Sequence, residues 1–215
     1  MLHWQLETLR GVGVTEAVVV SGFGADKVDA EIAGLALPGM TVRTRFNPFF
    51  AVSDNLATCW LVRDELQGEV LLLNGDTLFE AAVAEALLAA PPADITVTID
   101  RKATYDDDDM RVLTEGDVLQ AIGKTIETYN GESIGFLRFA AEGAALFGDY
   151  LDSTLRRPEG TRRWYLSVID QIARETGQVR VHSIEGLGWA EMDFPADMAR
   201  NLALTERWAG RAKAS

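Results

Sequence analysis

Two hydrophobic periods alternate along the chain. Stretches with apolar residues three and four apart follow stretches that are apolar throughout or at every second position, which is the pattern of helices alternating with strands. Leu2, Leu6 and Leu9 share one helical face, and Gly11 and Gly13 close the run, so residues 1–13 are predicted to form an opening helix. Residues 17–21 read as a buried strand, 25–33 as a helix and 41–45 as a strand. Ser53 stands where the N-cap of a helix reaching about Leu66 belongs, and residues 69–73 read as a fully buried strand. The Ala- and Leu-rich stretch 78–90 reads as a helix stopped by Pro91 and Pro92. Ile95, Val97 and Ile99 then face one way along a strand at 94–100.

Residues 111–113 and 118–122 flank Glu115-Gly116-Asp117 as a hairpin, and 133–139 read as a further strand. Helices are predicted at 141–155 and 163–175, a strand at 179–183, and a last helix from near Pro195 to the polar tail at 213–215. The fold class is therefore α/β, a Rossmann-like, mostly parallel sheet flanked by helices. No internal repeat or linker divides the chain, so 1–215 reads as one domain. A doubly wound sheet normally opens with a strand, and this one opens in a helix. The domain is expected to be incomplete at its N-terminus and to lack its first strand.

Composition narrows the partners. A chain of 215 residues, 47% hydrophobic and 25% charged, can bury one sizeable core, and no apolar run approaches the roughly 20 residues that cross a bilayer. The net charge of −13 excludes a sequence-independent hold on nucleic acid, so any phosphate ligand must be bound locally by a metal or a few basic groups. Cys59 is the single cysteine, which rules out an internal disulfide, and its apolar neighbours mark it as core. No secretory signal opens the sequence, and a cytoplasmic location is expected.

Candidate chemistry gathers at two strand ends. Leu71-Leu72-Leu73-Asn74-Gly75-Asp76 places a carboxylate in the crevice where open α/β sheets bind ligands; the competing reading is that Asp76 caps the next helix. Trp189-Ala190-Glu191-Met192-Asp193 repeats the arrangement, with Asp197 serving as a first-turn acid of the helix that follows. The run Asp106–Asp109 reads as a solvated loop, with the weaker alternative that one member faces a cationic ligand. Gly22-Phe23-Gly24 reads as a turn.

Asn74-Gly75-Asp76 together with Trp189-x-Glu-x-Asp193-x-Pro195-x-Asp197 resembles the nucleotidyltransferases that activate sugar phosphates and small phosphorylated alcohols. Asn47-Pro48, Ser53 to Thr58, Asp109 to Val112, Ile122-Gly123-Lys124, Gly131 to Gly135 and Trp164-Tyr165 extend the likeness toward the phosphocholine and phosphonate cytidylyltransferase branch. The resemblance implies transfer of a cytidylyl group from CTP to a small phosphate or phosphonate acceptor, with release of pyrophosphate. It implies Mg²⁺ held by Asp76 and Asp193, a catalytic role for Lys124, Asn55 near the nucleotide or acceptor, and Glu132 on the acceptor side. Trp164, Tyr165 and Trp189 are then candidates to wall the acceptor, because ring faces attract a trimethylammonium group. The resembling enzymes open with an apolar strand, a loop of the type Gly-x-Gly-x-Arg and a Pro-Lys segment, none of which stands ahead of residues 1–13; weak or absent turnover is the expectation. A sugar-1-phosphate nucleotidyltransferase and an inactive nucleotide- or metabolite-binding module remain alternatives. A glycosyltransferase fits less well, since Asn74 occupies the first place of an Asp-x-Asp pair. The acceptor stays open, as does the choice between monomer and homodimer.

Overall fold

The computed structural model describes residues 1–212; the tail at 213–215 lies outside them. Helix α1 (Leu2–Gly11) leads into strand β1 (Glu16–Ser21), helix α2 (Ala25–Gly34) and strand β2 (Thr41–Phe46). β1 and β2 pair in parallel from Glu16–Thr41 to Ser21–Phe46 and form a two-stranded sheet of their own. Helix α3 (Asn55–Leu61) and a 3-10 turn (Arg63–Glu65) precede strands β3 (Val70–Leu73) and β4 (Thr77–Phe79), helix α4 (Ala81–Ala89) and strand β5 (Ile95–Asp100). The hairpin of β6 (Arg111–Glu115) and β7 (Val118–Ile122) is followed by β8 (Gly131–Phe139), α5 (Ala141–Leu155), α6 (Leu166–Thr176), β9 (Val179–Ser183), β10 (Trp189–Glu191) and α7 (Asp197–Ala212).

The main sheet has six strands in the order β3-β8-β5-β9-β7-β6. It is mixed: β5 and β9 run parallel, while β8 lies antiparallel to β3 and β5. β6 also pairs with β8 at Arg111–Glu132 and Val112–Gly131, so the strands from β8 to β6 close on themselves. Glu132 is thereby flanked by Asp100 of β5 and Arg111 of β6.

The length of β8 explains the two-layer core. Its alternating side chains feed Ile134 and Phe136 into a cluster with Leu9, Phe79, Val83 and Leu87, and Leu137 and Phe139 into another with Leu56, Phe147, Tyr165 and Ile169. Burial of each such side chain contributes about 1.5–3 kcal/mol. No helix among the described residues is long and apolar enough to cross a membrane.

Several boundaries differ from the sequence reading, among them the helix expected from 163, which begins at Leu166 after a 3-10 turn at Gly160–Arg162. α3 ends at Leu61 instead of about Leu66, and its cap is Asp54, whose carboxylate accepts from the Asn55 N–H at 2.9 Å, rather than Ser53. The helix expected over 78–90 begins only at Ala81, because Thr77–Phe79 is a strand paired antiparallel with β10. Thr77 and Phe79 favour a strand, and long-range bonds fix it: the Thr77 hydroxyl donates to Ile134 O at 2.8 Å, and the Trp4 indole N–H donates to Phe79 O at 2.8 Å. α7 starts at Asp197, two residues beyond Pro195.

Candidate active site

The turn that follows β3 is held from three sides. Asn74 N–H donates to Gly135 O at 2.8 Å, and the Tyr165 hydroxyl donates to Asn74 Oδ1 at 3.0 Å. Gln5 of α1, buried at 5% exposure, donates its amide to the carbonyls of Asn74, Gly75 and Thr77 at 3.1, 3.3 and 2.8 Å. Gly135 has φ +69°, and a Cβ there would collide with the Asn74 side chain, so the close approach of β8 to this turn requires glycine. Asp76 caps no helix, since a strand follows it, and its carboxylate is left free for other work.

The second acid arrives by the short ladder. β10 pairs Glu191 with Thr77, and Met192 N–H donates to Asp76 O at 3.0 Å, so Asp193 emerges beside Asp76. Asp197 fixes this segment as well as opening α7: its Oδ2 accepts from the N–H groups of Asp193 at 3.2 Å and Phe194 at 3.0 Å. Asn201, 1% exposed, donates to Glu191 O at 3.0 Å and ties the same strand to α7.

Asp76, Glu191 and Asp193 line one cleft of about 340 Å³ together with Asn55, Asp108, Lys124 and Trp164. The crowding of charge leaves its mark on two of them. Burial, and then the Asp193 carboxylate, raise the Asp76 pKa above the ordinary aspartate value, although its own backbone contact works the other way. Burial pushes Glu191 up to about 7, aided by the charges of Asp193, Asp76, Asp109 and Asp108. Opposite them the Lys124 ammonium stands 5.2 Å from the centre of the Trp164 ring. A larger hollow of about 480 Å³, lined by Phe49, Val52, Trp60 and Leu155, is predominantly apolar and holds no comparable set of acids.

Of the residues singled out in the sequence, Asn55, Asp76, Lys124, Trp164 and Asp193 meet in this cleft, while Glu132, Tyr165 and Trp189 are placed otherwise. Tyr165 is 2% exposed and packed in the core, so its ring offers no face to a ligand; it supports the site through Asn74 and through its N–H, which donates to Asn55 Oδ1 at 2.9 Å. Trp189 is half-buried against the core layer of α1 and α4, and its indole N–H donates to Asp100 Oδ2 at 2.8 Å. Glu132 is buried at 2% exposure and meets Lys102 at 2.9 Å. The acidic run is not uniformly solvated: Asp109 turns inward to Lys102 at 2.9 Å, and Asp108 reaches the cleft. Cys59 is buried in the core, and that burial pushes its thiol up to about 12.

Glu191 stood inside the sequence motif without a role, and Gln5 and Lys102 were passed over. Gln5 had a readable signal, since it is a polar residue within the apolar stripe of Leu2 and Leu9. Lys102 had none.

No protein-family model matches the chain. The CMP-5'-(3-aminopropyl)phosphonate synthase of Streptomyces rubellomurinus is 33% identical over 212 residues, an alignment covering 92% of this chain and 32% of that protein. The chain thus spans about a third of the length of the curated relative it matches. Among solved structures, the inositol-1-phosphate CTP transferase of T. maritima superposes with a TM-score of 0.74 at 18% identity, covering 90% of this chain and 76% of the other. The CTP:phosphocholine cytidylyltransferase LicC of Streptococcus pneumoniae gives 0.71 at 18% identity, with 93% and 82% covered. In fold the chain is similar to solved CTP transferases, and in sequence it is similar to about a third of a CMP-phosphonate synthase.

Proposed function

We propose that the cleft transfers a cytidylyl group from CTP to a small phosphate or phosphonate acceptor. One observation carries the reading: three carboxylates from two strand ends, Asp76, Glu191 and Asp193, face a cleft whose wall also carries Lys124. An anionic acceptor oxygen attacks the α-phosphorus, forming a new P–O bond as the bond to the β-phosphate oxygen breaks and pyrophosphate leaves. The acceptor oxygen already bears charge at neutral pH, so no protein base or nucleophile is required.

The donor set fits a hard divalent cation. It offers carboxylate oxygens, and burial first, then neighbouring carboxylates, raise the pKa values of Asp76 and Glu191, so a bound cation would favour their charged forms. Asp76 and Asp193, with Glu191 beside them, are the residues to hold Mg²⁺, which when bound neutralises charge on the phosphates. Lys124 supplies positive charge to a phosphate from the opposite wall, and Asn55, fixed by the Tyr165 N–H, positions the substrates.

Slow turnover by the chain itself belongs to the same proposal. Among the described residues β3 pairs only with β8 and β1 only with β2, so the strand that delivers Asp76 carries one edge unpaired by them. Phosphate-binding N–H groups from a loop on such an edge are worth about 2.7–4 kcal/mol each where they have been removed singly. The test is pyrophosphate release from each nucleoside triphosphate with aminoalkylphosphonates and choline phosphate, for this chain and for a version preceded by an apolar strand and glycine-rich loop. CTP preference and a large gain in the longer version are expected. Release at equal rates by both versions would overturn the slow-turnover reading, and no release by either with any acceptor would overturn the transfer itself.

A further inference from the structure

One buried residue fixes two amides of the cleft. Tyr165, 2% exposed, directs its backbone N–H to Asn55 Oδ1 at 2.9 Å and its hydroxyl to Asn74 Oδ1 at 3.0 Å, and both asparagines line the cleft. An amide whose oxygen is bonded on one side carries its N–H groups on the other. Among the described residues neither the Asn55 nor the Asn74 Nδ2 meets a hydrogen-bond acceptor, and Asn55 is exposed while Asn74 is half-buried. The reverse orientation is unfavourable for both. The Tyr165 N–H can only donate, so an Asn55 turned about would set donor against donor. An Asn74 turned about would donate to the Tyr165 oxygen and strand the phenol proton, since among the described residues that buried hydroxyl has no second partner. Gly135 lets the Asn74 side chain lie this close, because a Cβ there would overlap its amide.

The surroundings decide what the free N–H groups suit. Asp76, Asp108, Glu191 and Asp193 line the same cleft, and Lys124 is the single cation among the described residues that do so. Ionised carboxylates offer no donor, so a substrate oxygen out of reach of the metal and of Lys124 requires a neutral one. Asn74 stands two residues before Asp76, on the same turn. We infer that Asn74 donates through Nδ2 to a non-bridging oxygen of the phosphoryl group under transfer, that Asn55 offers a second amide donor to the same substrates, and that Tyr165 is the positioning residue for both. The inference rests on the transfer proposed above and deepens it. As the new P–O bond forms and pyrophosphate leaves, a donor already held in place stabilises charge on that oxygen without reorganising. An unrestrained asparagine would present its carbonyl oxygen as readily and repel the phosphate; Tyr165 removes that choice.

Calorimetry with pyrophosphate and with CTP, each with Mg²⁺, reads the donor. Asn74→Ala is expected to weaken binding about tenfold, the share of one hydrogen bond to a charged group, and Tyr165→Phe, which keeps the ring and the N–H to Asn55, about threefold. In the Asn74→Ala background Tyr165→Phe should change affinity by less than about 1.5-fold, because the amide it orients is gone. An equal loss in both backgrounds would make Tyr165 a packing residue and overturn its positioning role, and parental affinity in Asn74→Ala would overturn the donor. A second measurement needs no turnover. The side-chain amide signals of Asn74 in nitrogen-15 NMR, assigned by their loss in Asn74→Ala, are expected to shift with pyrophosphate and Mg²⁺ but not with Mg²⁺ alone, and to shift less in Tyr165→Phe. A shift together with no pyrophosphate release from CTP with any acceptor would uphold the donor and reject the transfer reading. Signals unmoved by pyrophosphate and CTP alike would reject the donor.

Discussion

The two sides of β3 are built to different standards. On one side β8 pairs with β3 along its length, and the turn at Asn74 is gripped by Gln5, Tyr165 and Gly135. On the other side β1 and β2 pair only with each other; Ala17 to Val20 of β1 and Val70 to Leu73 of β3 are apolar yet only half-buried. Phe23, Phe46, Phe49 and Phe50 in and around the β1–β2 unit are exposed, Phe23 at 90%. Apolar strands that keep an open edge and a half-wet face are a liability. The contrast teaches that the turn bearing Asp76 is held by β8, Gln5 and Tyr165, while β1 and β2 lend it no strand pairing among the described residues.

The largest effect should come from the acids. Asp193→Asn, in a version of the chain that releases pyrophosphate, is expected to lower the rate about 100-fold or more while leaving the fold intact, because the residue is exposed and its turn is held by Asp197. A steady-state assay beside a circular-dichroism melt checks both halves. A loss below about threefold would place the chemistry elsewhere in the cleft.

Next in size is the grip on the Asn74 turn. Gly135→Ala puts a methyl group into the Asn74 side chain at a positive φ, and is expected to cost about 2–4 kcal/mol in urea unfolding. Gly116→Ala, at φ +62° in the β6–β7 turn but with open space around it, carries only the backbone penalty and should cost about 1 kcal/mol. Equal costs would mean that Asn74 yields readily, and the contrast between the two sides of β3 would lose its physical basis.

A smaller effect depends on pH. Burial, and then Asp109, raise Glu132 to about 7 against the pull of Lys102, while Lys102 stays charged and Asp109 is held below its usual range by that lysine, despite its own burial. Between the ordinary glutamate value and about 7 the folded protein therefore binds a proton that the unfolded chain has released. Stability from this group is complete below that window and is lost as pH rises through about 7. Glu132→Gln should flatten the decline in melting temperature between about pH 5 and 8. An unchanged slope would assign the decline to other groups.

Hydrophobic pattern alone revealed most of the elements, since each buried strand and amphipathic helix must carry its period in its own sequence. What it could not reveal was set by partners far along the chain. Thr77–Phe79 abuts the Ala-rich helix with no turn residue to mark the boundary, and its pairing is with β10, more than 100 residues later. The mixed sheet follows from β8 inserting between β3 and β5, and no local feature of residues 131–139 encodes that neighbour choice. That Asp76, Lys124 and Asp193 line one cleft follows from their place at strand or hairpin ends beside glycine, proline or apolar runs. Trp164 lines the cleft, but Tyr165 does not, because a ring that packs and a ring that binds look alike in sequence: Tyr165 is core, and only its position beside Asn55 and Asn74 links it to the cleft.

The smallest effect concerns the polar clamp that reaches from the β1–β2 side to the rest of the protein. Arg43 donates both terminal nitrogens to Glu65 at 2.9 Å, and Arg45 meets Asp64 at 3.1 Å and Glu65 at 3.2 Å, so β2 is tied to the 3-10 turn ahead of β3. Through the paired hydrogen bonds the Glu65 carboxylate raises the pKa of Arg43 and the Arg43 guanidinium lowers that of Glu65, yet these groups lie at the surface, where water and salt screen the attraction. Arg43→Ala should therefore barely move global unfolding. Its effect should appear locally: hydrogen exchange of the Val18 to Val20 amides should quicken by no more than about fivefold, with β5 and β8 unaffected, and the change should shrink in high salt. A rise shared equally by β5 and β8 would mean that the two sides of β3 open as one cooperative unit. A large, salt-insensitive rise confined to β1 and β2 would mean that the clamp, more than the shared apolar layer around Leu9, Val14, Met40 and Leu71, holds that side in place.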